Sequence, residues 1–314
     1  MEKKDFPASI ISVNIADETG TPKKPVNEIV LNDRGVLKDA ACCRGHYQLC
    51  LFPTEQLDHV NSLLNKSYQY GELSEHITTR GIDFTEISPF DIIRIGDTVF
   101  EVTRLSNQWH VNDKDLIETV GCYRMPKGGA LVRVLKGGTI RPGMAIELER
   151  KVFKANVVTL SDKASRGEIE DMHGPKIQKL LEGFFAENQW KSDVKKKIMA
   201  DDEDSLRFIL RQSKEEELDL VITLGGTGIG PRDITPDVVK TVLDKEIPGI
   251  MEGLRKKFGQ DDPNAMLSRG VAGIMGNTIV MTLPGSICIL DEYMEEIFKF
   301  LKHLLFMQKG LDLH

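Results

Sequence analysis

The sequence predicts two domains of different fold class, an all-β domain over residues 1–152 and an α/β domain with a mostly parallel sheet over residues 153–314. Three observations predict this division. The chain has 314 residues, which is enough for two hydrophobic cores. Its first half offers short, alternating apolar runs separated by turn residues. Its second half alternates buried strands with amphipathic helices.

The strands expected in the first half are short, and one helix interrupts them. They read "IISVNI", "EIVLN", "YQLCLF", "DIIRIGDTVFEVTRL" and "ALVRVLKGGTIRPGMAIEL", and the helix "TEQLDHVNSLL" follows Pro53. The pairs Gly96-Asp97 and Gly137-Gly138 predict hairpin turns within the two longest runs. Many short strands joined by turns are typical of a β-barrel or a sandwich.

The second half reads as strand and helix in turn. The strands are "ANVVTLSD", "VKKKIM", "LDLVITLGG" and "NTIVMTLPG", and the helices include "GPKIQKLLEGFFAEN" and "EDSLRFILRQSKEE". Further helices are expected from Pro236 and Pro248, and a last one has an apolar stripe from Leu290 to Leu305. This alternation predicts three layers, with helices on both faces of a parallel sheet.

Composition excludes several function classes. The net charge of -7 argues against general nucleic-acid binding, which needs a basic surface. No apolar run reaches the length of about 18 residues expected of a membrane span, and the first residues do not form a signal peptide. The five cysteines are odd in number and include the adjacent pair Cys42-Cys43, which is not a disulfide framework. We therefore expect a cytoplasmic protein.

One loop concentrates unusual residues. Residues 224–237 read "LGGTGIGPRDITPD", with four glycines between an expected strand and an expected helix. Glycines at a strand's carboxyl end allow positive φ and close approach of a ligand, and consecutive N–H groups there can bind an anion. The spacing fits neither a Walker A loop nor G-x-G-x-x-G. By itself the loop is also compatible with a simple tight connection.

Polar residues follow the other strands as well. Ser161 and Asp162 end the first strand of this half, the acidic run "ADDEDS" follows the second, and Pro284-Gly285-Ser286 follows the last. Because parallel strands place their carboxyl ends at one edge of the sheet, we expect all four segments to meet.

With these motifs, residues 154–310 resemble the MogA/MoaB family of molybdenum cofactor biosynthesis proteins, known for molybdopterin adenylyltransferase activity. The matching pieces are "TLSDKASRG", "DMHGPKI", "ADDEDSL", "TLGGTGIGPRDITPD", "KEIPGIMEGLR" and "MLSRGVAGIMGNTIVMTLPGS". The resemblance implies that molybdopterin attacks the α-phosphate of ATP with Mg²⁺ present and that pyrophosphate leaves. It also implies a homotrimer that works with other molybdenum cofactor biosynthesis proteins.

By position in these motifs, the resemblance implies that Asp201 and Asp233 are the essential acids that handle Mg²⁺·ATP. Asp202 is the neighbour that could be confused with Asp201. Asp201 could instead be a helix N-cap, and Asp233 a turn or cap residue. The residues expected to line the pterin and phosphate pocket are Ser161, Asp162, Gly225, Gly226, Thr227, Gly228, Arg232, Ser268, Arg269, Pro284, Gly285 and Ser286. Ser268 could instead be a helix cap, and Arg255 is either a further anion contact or part of a solvated face. Relatives usually continue the last loop with Pro-Lys-Ala, whereas Ile287 and Cys288 follow here.

The first half resembles a MOSC domain, a β-rich barrel that binds the cofactor or carries sulfur. The best stretch is "GELSEHITTRGIDF…IRIGDTVFEVTRL…VGCYRMPKGGALVRVLKGGTIRPGMAI". The resemblance makes Cys122 and His110 the candidate reactive residues, although a half-buried small side chain beside a turn is the slightly favoured interpretation of Cys122. A zinc site from Cys42, Cys43, His46 and Cys50 is a weaker alternative, because their spacing is not that of a zinc motif.

Three functions remain open from the sequence. The first is a molybdopterin adenylyltransferase with a MOSC partner domain. The second is a molybdopterin carrier without catalysis, which retention of both acids disfavours and the altered last loop favours. The third is a MOSC-based sulfur carrier.

Overall fold

The computed structural model describes residues 7–40, 45–105 and 128–311, apart from the side chains of residues 63, 64, 287 and 288. The chain divides into two units, with the boundary between Lys151 and Val152. Each unit has its own hydrophobic core.

The N-terminal unit is β-rich with one described helix. Its elements are β1 Ser9–Ile15, β2 Lys24–Val26, β3 Ile29–Asn32, β4 Gly35–Val36, β5 Leu49–Pro53, α1 Thr54–Leu64, β6 Ile77–Arg80, β7 Ile92–Ile95, β8 Thr98–Leu105, β9 Ala130–Lys136, β10 Gly138–Ile140 and β11 Glu147–Glu149. Eight strands form one sheet in the order β11-β7-β8-β9-β5-β6-β1-β2, and β10-β3-β4 form a second.

The large sheet curls until its two ends approach each other. The Ile10 N–H donates to the Met144 carbonyl at 3.0 Å, and the Gly143 N–H donates to the Ile10 carbonyl at 2.8 Å. These bonds join β1 to the segment that leads into β11. The resulting sheet is barrel-like and encloses a core that includes Val13, Leu51 and Phe100.

Helix α1 connects β5 and β6, which pair in parallel. A parallel pair cannot be joined by a tight turn, so the chain needs a crossover, and α1 supplies it. Its apolar side chains Leu57 and Val60 pack on Phe52 and Leu73. The expected helix after Pro53 is therefore confirmed, and the unit is not purely β.

The two glycine pairs behave differently. Gly96-Asp97 forms the expected hairpin between β7 and β8, with Gly96 at φ 56°. The hairpin expected at Gly137-Gly138 is wrong, because β10 pairs with β3 and not with β9. A Cβ on Gly137 would lie 2.3 Å from the Leu31 carbonyl oxygen, so glycine lets the chain leave one sheet and cross onto the next.

The C-terminal unit has helices on both faces of a six-stranded sheet. Its elements are β12 Val152–Leu160, α2 Asp162–Ser165, α3 His173–Glu187, β13 Lys191–Met199, α4 Glu203–Glu215, β14 Leu220–Leu224, α5 Thr235–Val242, β15 Lys245–Glu246, α6 Pro248–Phe258, a 3₁₀ turn Pro263–Leu267, β16 Ala272–Met275, β17 Thr278–Leu283 and α7 Ile287–Gln308. In the described ranges, no helix combines the length and the apolar character needed to span a bilayer.

The sheet order is β13-β12-β14-β17-β16-β15. The first four strands are mutually parallel, and β16 and β15 add antiparallel pairs at one edge. The sheet is thus mixed, with a parallel centre as expected. One face packs on α4 and α5 through residues such as Leu206 and Val239. Aromatic pairs join other helices to this sheet. Phe153 of β12 stacks on Phe185 of α3, and Phe184 of α3 stacks on Phe298 of α7.

Candidate functional site

The four parallel strands bring the predicted polar segments to one edge of the sheet. In the register, Leu160 lies beside Met199, Thr159 beside Leu224, and Leu224 beside Leu283. The residues that follow these strand ends are Ser161 and Asp162, Asp201, Gly225 and Gly226, and Pro284 to Ser286. The convergence expected from the sequence is therefore present.

The start of the glycine loop is a position that only glycine fits. Gly225 has φ 101° and Gly226 has φ 61°, both in the left-handed region. A Cβ on Gly225 would lie 2.5 Å from the Leu160 carbonyl oxygen, and one on Gly226 would lie 2.4 Å from Thr235 Oγ1. Thr235 also donates its hydroxyl to the Gly225 carbonyl at 3.0 Å. The loop is thus held tightly against the start of α5.

Asp201 faces this loop and is not the helix cap. The cap of α4 is Asp202, whose carboxylate accepts the Ser205 N–H at 2.8 Å. Asp201 Oδ1 is buried and has no hydrogen-bond partner among the described residues. It lies 3.3 Å from where a Cβ on Gly226 would be. Burial, followed by the nearby Asp162 and then Asp233, raises the pKa of the Asp201 carboxyl.

Asp233 closes the other side of the loop. Its Oδ2 accepts the Gly230 N–H at 2.8 Å, and a Cβ on Gly228 would lie 2.7 Å from the same oxygen. Gly228 therefore makes room for the carboxylate. Asp201 lies beside Gly226 and Asp233 beside Gly228, so both acids border the glycine loop.

Asp162 and Arg232 form an ion pair beside the acids. Arg232 Nη2 lies 2.6 Å from Asp162 Oδ2, and the guanidinium is largely exposed. Asp162 Oδ1 also accepts the Asp201 N–H at 3.1 Å. The Asp201 N–H first, and then Arg232, lower the pKa of the Asp162 carboxyl. Asp162 thus fixes the Asp201 backbone, and Arg232 provides the exposed cation next to it.

Other expected pocket residues support the loop from behind. Thr227 is buried, and its Oγ1 lies 3.4 Å from the Ser268 hydroxyl. Arg255 donates to the carbonyls of Ser268 and Gly270 at 3.3 and 3.2 Å, so it braces that segment. Arg269, expected as an anion contact, donates to the backbone of the glycine loop and to Asp237.

Ser161 and the last loop complete the edge. Ser161 Oγ accepts the Ala164 N–H at 3.2 Å and caps α2. Ser286 is exposed and precedes α7 without a side-chain cap bond. Gly285 lies against Gly225, because a Cβ added to Gly285 would lie 3.4 Å from the Gly225 Cα. The first N–H groups of α7 therefore start at the same edge, where they favour an anion.

Sequence reasoning missed two residues. Thr235 closes the loop through Gly225, and Asp237 in the first turn of α5 pairs with Arg269 at 2.9 Å. The signal in the sequence is the motif Thr-Pro-Asp, which is also the signature of a helix start. Thr235 contacts the glycine loop directly, and Asp237 contacts it through Arg269.

The acids fit Mg²⁺ that arrives with a phosphate ligand. Among the described residues, no group of three or more His, Cys, Asp or Glu side chains is arranged to hold a metal ion. Asp201 and Asp233 offer two carboxylates, which are too few to complete the coordination shell of a metal ion. Asp201 Oδ1 has no hydrogen-bond partner among the described residues. Mg²⁺ commonly binds through one or two carboxylates together with substrate phosphates, so the residues present fit that ion.

The candidate residues of the N-terminal unit, Cys122 and His110, lie outside the described residues, as do Cys42 and Cys43 of the zinc alternative.

The described part of the N-terminal unit contains a buried polar cluster of Lys23, Asp39 and His76. Asp39 Oδ2 lies 2.8 Å from Lys23 Nζ and 3.0 Å from His76 Nε2, with all three side chains almost fully buried. His76 Nδ1 accepts the Cys50 N–H at 3.0 Å, so its other nitrogen carries the proton donated to Asp39.

Comparison with known proteins gives two family matches. Residues 156–303 match the family described as "Probable molybdopterin binding domain", and residues 39–147 match the family described as "MOSC domain". Molybdopterin adenylyltransferase of Helicobacter pylori is 36% identical over 143 residues, which are 45% of this chain and 80% of that protein. Molybdenum cofactor biosynthesis protein B of Staphylococcus aureus is 36% identical over 163 residues, which are 51% of this chain and 94% of that protein.

A longer relative shares the same region. Molybdenum cofactor synthesis protein cinnamon of Drosophila melanogaster is 35% identical over 148 residues, which are 47% of this chain. This chain spans only 24% of that protein's length.

Proposed function

The chain belongs to the MogA/MoaB family of molybdenum cofactor biosynthesis proteins and carries a MOSC domain in its N-terminal half, and from this premise we propose that it adenylylates molybdopterin with Mg²⁺·ATP. In this reaction, an oxygen of the terminal phosphate of molybdopterin bonds to the α-phosphorus of ATP. The bond from that phosphorus to the bridging oxygen breaks, and pyrophosphate leaves with the electron pair.

One observation carries the proposal. Asp201 Oδ1 is buried without a partner, although a neighbouring aspartate already caps the helix. A buried carboxylate oxygen without a hydrogen bond is costly for the fold, and carboxyls whose pKa burial raises cluster at functional sites. Its position beside Gly226 supports a role toward a ligand seated on the glycine loop.

The residues divide the work by chemistry. Asp201 and Asp233 would hold Mg²⁺, which neutralises charge on the phosphate oxygens when bound. The N–H groups of the glycine loop and of the first turn of α7 orient the anionic groups. Arg232, largely exposed at the same edge, would exchange its bond to Asp162 for a phosphate oxygen. Nucleotidyl transfer needs this alignment and charge neutralisation more than covalent chemistry.

The test is a direct assay of the full chain. Purified protein is incubated with molybdopterin and Mg²⁺·ATP, and adenylylated molybdopterin and pyrophosphate are separated by chromatography. Asp201→Asn and Asp233→Asn are run beside wild type, with Asp202→Asn as the matched control. The expected result is rapid product formation by wild type and the control, formation slowed by about 100-fold in the two site variants, and none after chelation of Mg²⁺.

A different outcome would identify a carrier. The last loop continues with Ile287 and Cys288 where the family it resembles usually continues with Pro-Lys-Ala, so a cation near the anion site is missing. Tight binding of molybdopterin without product would therefore favour a non-catalytic binding protein and contradict the adenylyltransferase proposal.

For the N-terminal unit we propose cofactor binding or sulfur handling through Cys122 and His110. Fusion would keep a labile intermediate at high effective concentration near the second domain. Cys122→Ser should abolish sulfur transfer or cofactor binding by this unit while leaving adenylylation intact. Normal sulfur transfer and cofactor binding by the variant would contradict the role of Cys122.

The assembly proposed from the family resemblance is a homotrimer. Light scattering after size-exclusion chromatography should give three times the 35.2 kDa mass of one chain. A monomer mass would contradict it.

A further inference from the structure

Arg269 follows the 3₁₀ turn but acts on the glycine loop, 41 residues earlier in the chain. Its Nε donates to the Gly228 carbonyl at 2.7 Å, and its Nη2 donates to the Asp233 carbonyl. The two carbonyls are at opposite ends of the turn from residue 228 to residue 233. One planar guanidinium therefore joins both ends of the turn that carries Asp233.

A third contact fixes the guanidinium itself. Arg269 Nη1 donates to both carboxylate oxygens of Asp237 at 2.9 Å. The Arg269 N–H additionally donates to the Thr227 carbonyl at 2.8 Å. Each of the three guanidinium nitrogens thus already donates to the protein. A side chain committed in this way is poorly placed to receive a phosphate.

The turn held by Arg269 determines where the Asp233 carboxylate lies. That carboxylate accepts the Gly230 N–H inside the turn and packs against Gly228. If the ends of the turn separated, the Gly230 bond would lengthen and the carboxylate would move away from Asp201. The position of Asp233 therefore depends on the spacing of the carbonyls of residues 228 and 233.

We propose that Arg269 is a positioning residue for adenylyl transfer, which clamps the 228–233 turn and so fixes Asp233, and that it does not bind the substrate phosphates. This inference rests on the proposed function for its catalytic consequence, but the clamp itself is a property of the fold. Lysine cannot replace it, because an ammonium is a single point donor and cannot reach two carbonyls and a carboxylate in one plane.

The first test separates positioning from anion binding by a double-mutant cycle. Arg269→Lys, Asp233→Asn and the double variant are compared with Arg211→Lys, an exposed arginine of α4, as the control. We expect Arg269→Lys to lower kcat by about 100-fold, since a displacement of about 1 Å at a catalytic group costs that much. The KM for ATP should change little, and the double variant should be no slower than Asp233→Asn alone.

Two results of this cycle would overturn the proposal. If the losses of the single variants multiply in the double variant, Arg269 acts independently of Asp233. If Arg269→Lys raises the KM for ATP with kcat unchanged, Arg269 contributes uniform binding to the nucleotide. Asp237→Asn keeps the arginine but loosens it, so its kcat should fall between wild type and Arg269→Lys.

The second test needs no activity. Amide hydrogen exchange of Gly230, which depends on its bond to Asp233, should accelerate by about tenfold or more in Arg269→Lys relative to wild type and Arg211→Lys. Unchanged exchange would overturn the clamp. If wild type makes no adenylylated product, the proposed function fails, while the exchange result still decides whether Arg269 holds the turn.

Discussion

Asp201 and Asp202 are adjacent in the chain, and the fold gives their carboxylates opposite environments. Asp202 is exposed and accepts the Ser205 N–H at 2.8 Å, which satisfies one donor at the start of α4. Asp201 Oδ1 is buried and has no partner among the described residues. One acid therefore stabilises the helix, and the other is kept at a cost to stability beside the glycine loop.

Replacing each acid by asparagine should separate these roles. Asp201→Asn should lower adenylyl transfer by about 100-fold, because it removes a carboxylate that would hold the Mg²⁺ that neutralises the phosphate oxygens. Asp202→Asn should keep activity, since asparagine also caps helices. Initial rates under saturating Mg²⁺·ATP measure both. Equal losses in the two variants would contradict the assignment of the catalytic role to Asp201.

Stability should depend on pH with opposite signs at the two positions. Burial, then Asp162 and Asp233, raise the pKa of Asp201 above 3.8, so its stabilising effect is present below that value and is lost as pH rises. The pKa of Asp202 is lowered by its bonds to Ser205, so its contribution is present above 3.8. From about pH 2 to pH 7, the two variants should diverge from wild type in different parts of the range. Asp201→Asn should become more stable relative to wild type as pH rises above about 4, and Asp202→Asn should lose its disadvantage relative to wild type as pH falls below about 4. Thermal unfolding of the three proteins across this range measures the difference, and parallel curves would refute it.

Gly228→Ala should impair catalysis with little effect on folding. A Cβ there meets Asp233 Oδ2 at 2.7 Å, a side-chain atom that can shift, and the residue does not have positive φ. We expect kcat to fall by about tenfold to 100-fold as the carboxylate moves. Gly183→Ala in α3 is the matched control, because nothing lies within 4 Å of its added Cβ. It should keep full activity and gain about 0.5–1 kcal/mol of stability. Full activity of Gly228→Ala would contradict the proposed position of Asp233.

Asp39→Ala should strongly destabilise the N-terminal unit. Burial alone would raise the pKa of Asp39, but hydrogen bonds from His76, Lys23 and the Ala16 N–H outweigh burial and hold that pKa well below its usual range. Removing the carboxylate leaves the Lys23 charge buried and unpaired, which costs about 3–5 kcal/mol. Urea unfolding, monitored by the hydrogen exchange of the β6 amides, reports on the stability of this unit.

The control for Asp39 is Asp17→Ala. Asp17 pairs with Lys24 at 3.7 Å on the open surface, and such pairs contribute little. We expect its unfolding to match wild type. Similar unfolding of Asp39→Ala and Asp17→Ala would mean that the buried cluster does not stabilise the unit.

The parallel centre of the C-terminal sheet was predictable because its strands are long and apolar and alternate with amphipathic helices. The antiparallel strands β15 and β16 were not, since they have two and four residues and little hydrophobic alternation. The pair Gly137-Gly138 signals a bend correctly, but the sequence does not say which strand the chain meets after it. Tertiary contact with Leu31 decides that.

The location of the site was predictable for the same reason, because parallel strands share one edge. The division of roles between Asp201 and Asp202 was not, as either aspartate suits a helix start. Extended backbone at Asp202, with φ -127° and ψ 125°, makes it the cap. The partners of Arg269 lie 32 to 41 residues away, and no local pattern encodes such a contact.

The strand β17 sits between β14 and β16, and its last residue accepts the Gly225 N–H at 3.0 Å. Both acids precede it by at least 45 residues, since Asp233 is followed by β17 at Thr278. During synthesis, the ribosome therefore releases the acids long before the strand that supports the glycine loop from its other side. A chain interrupted before Leu283 contains both acids but lacks the end of β17, whose carbonyl binds the Gly225 N–H. The glycine loop therefore gains its backbone partner at Leu283 only after both acids have been made, so the edge of the sheet is completed in a single late step of synthesis.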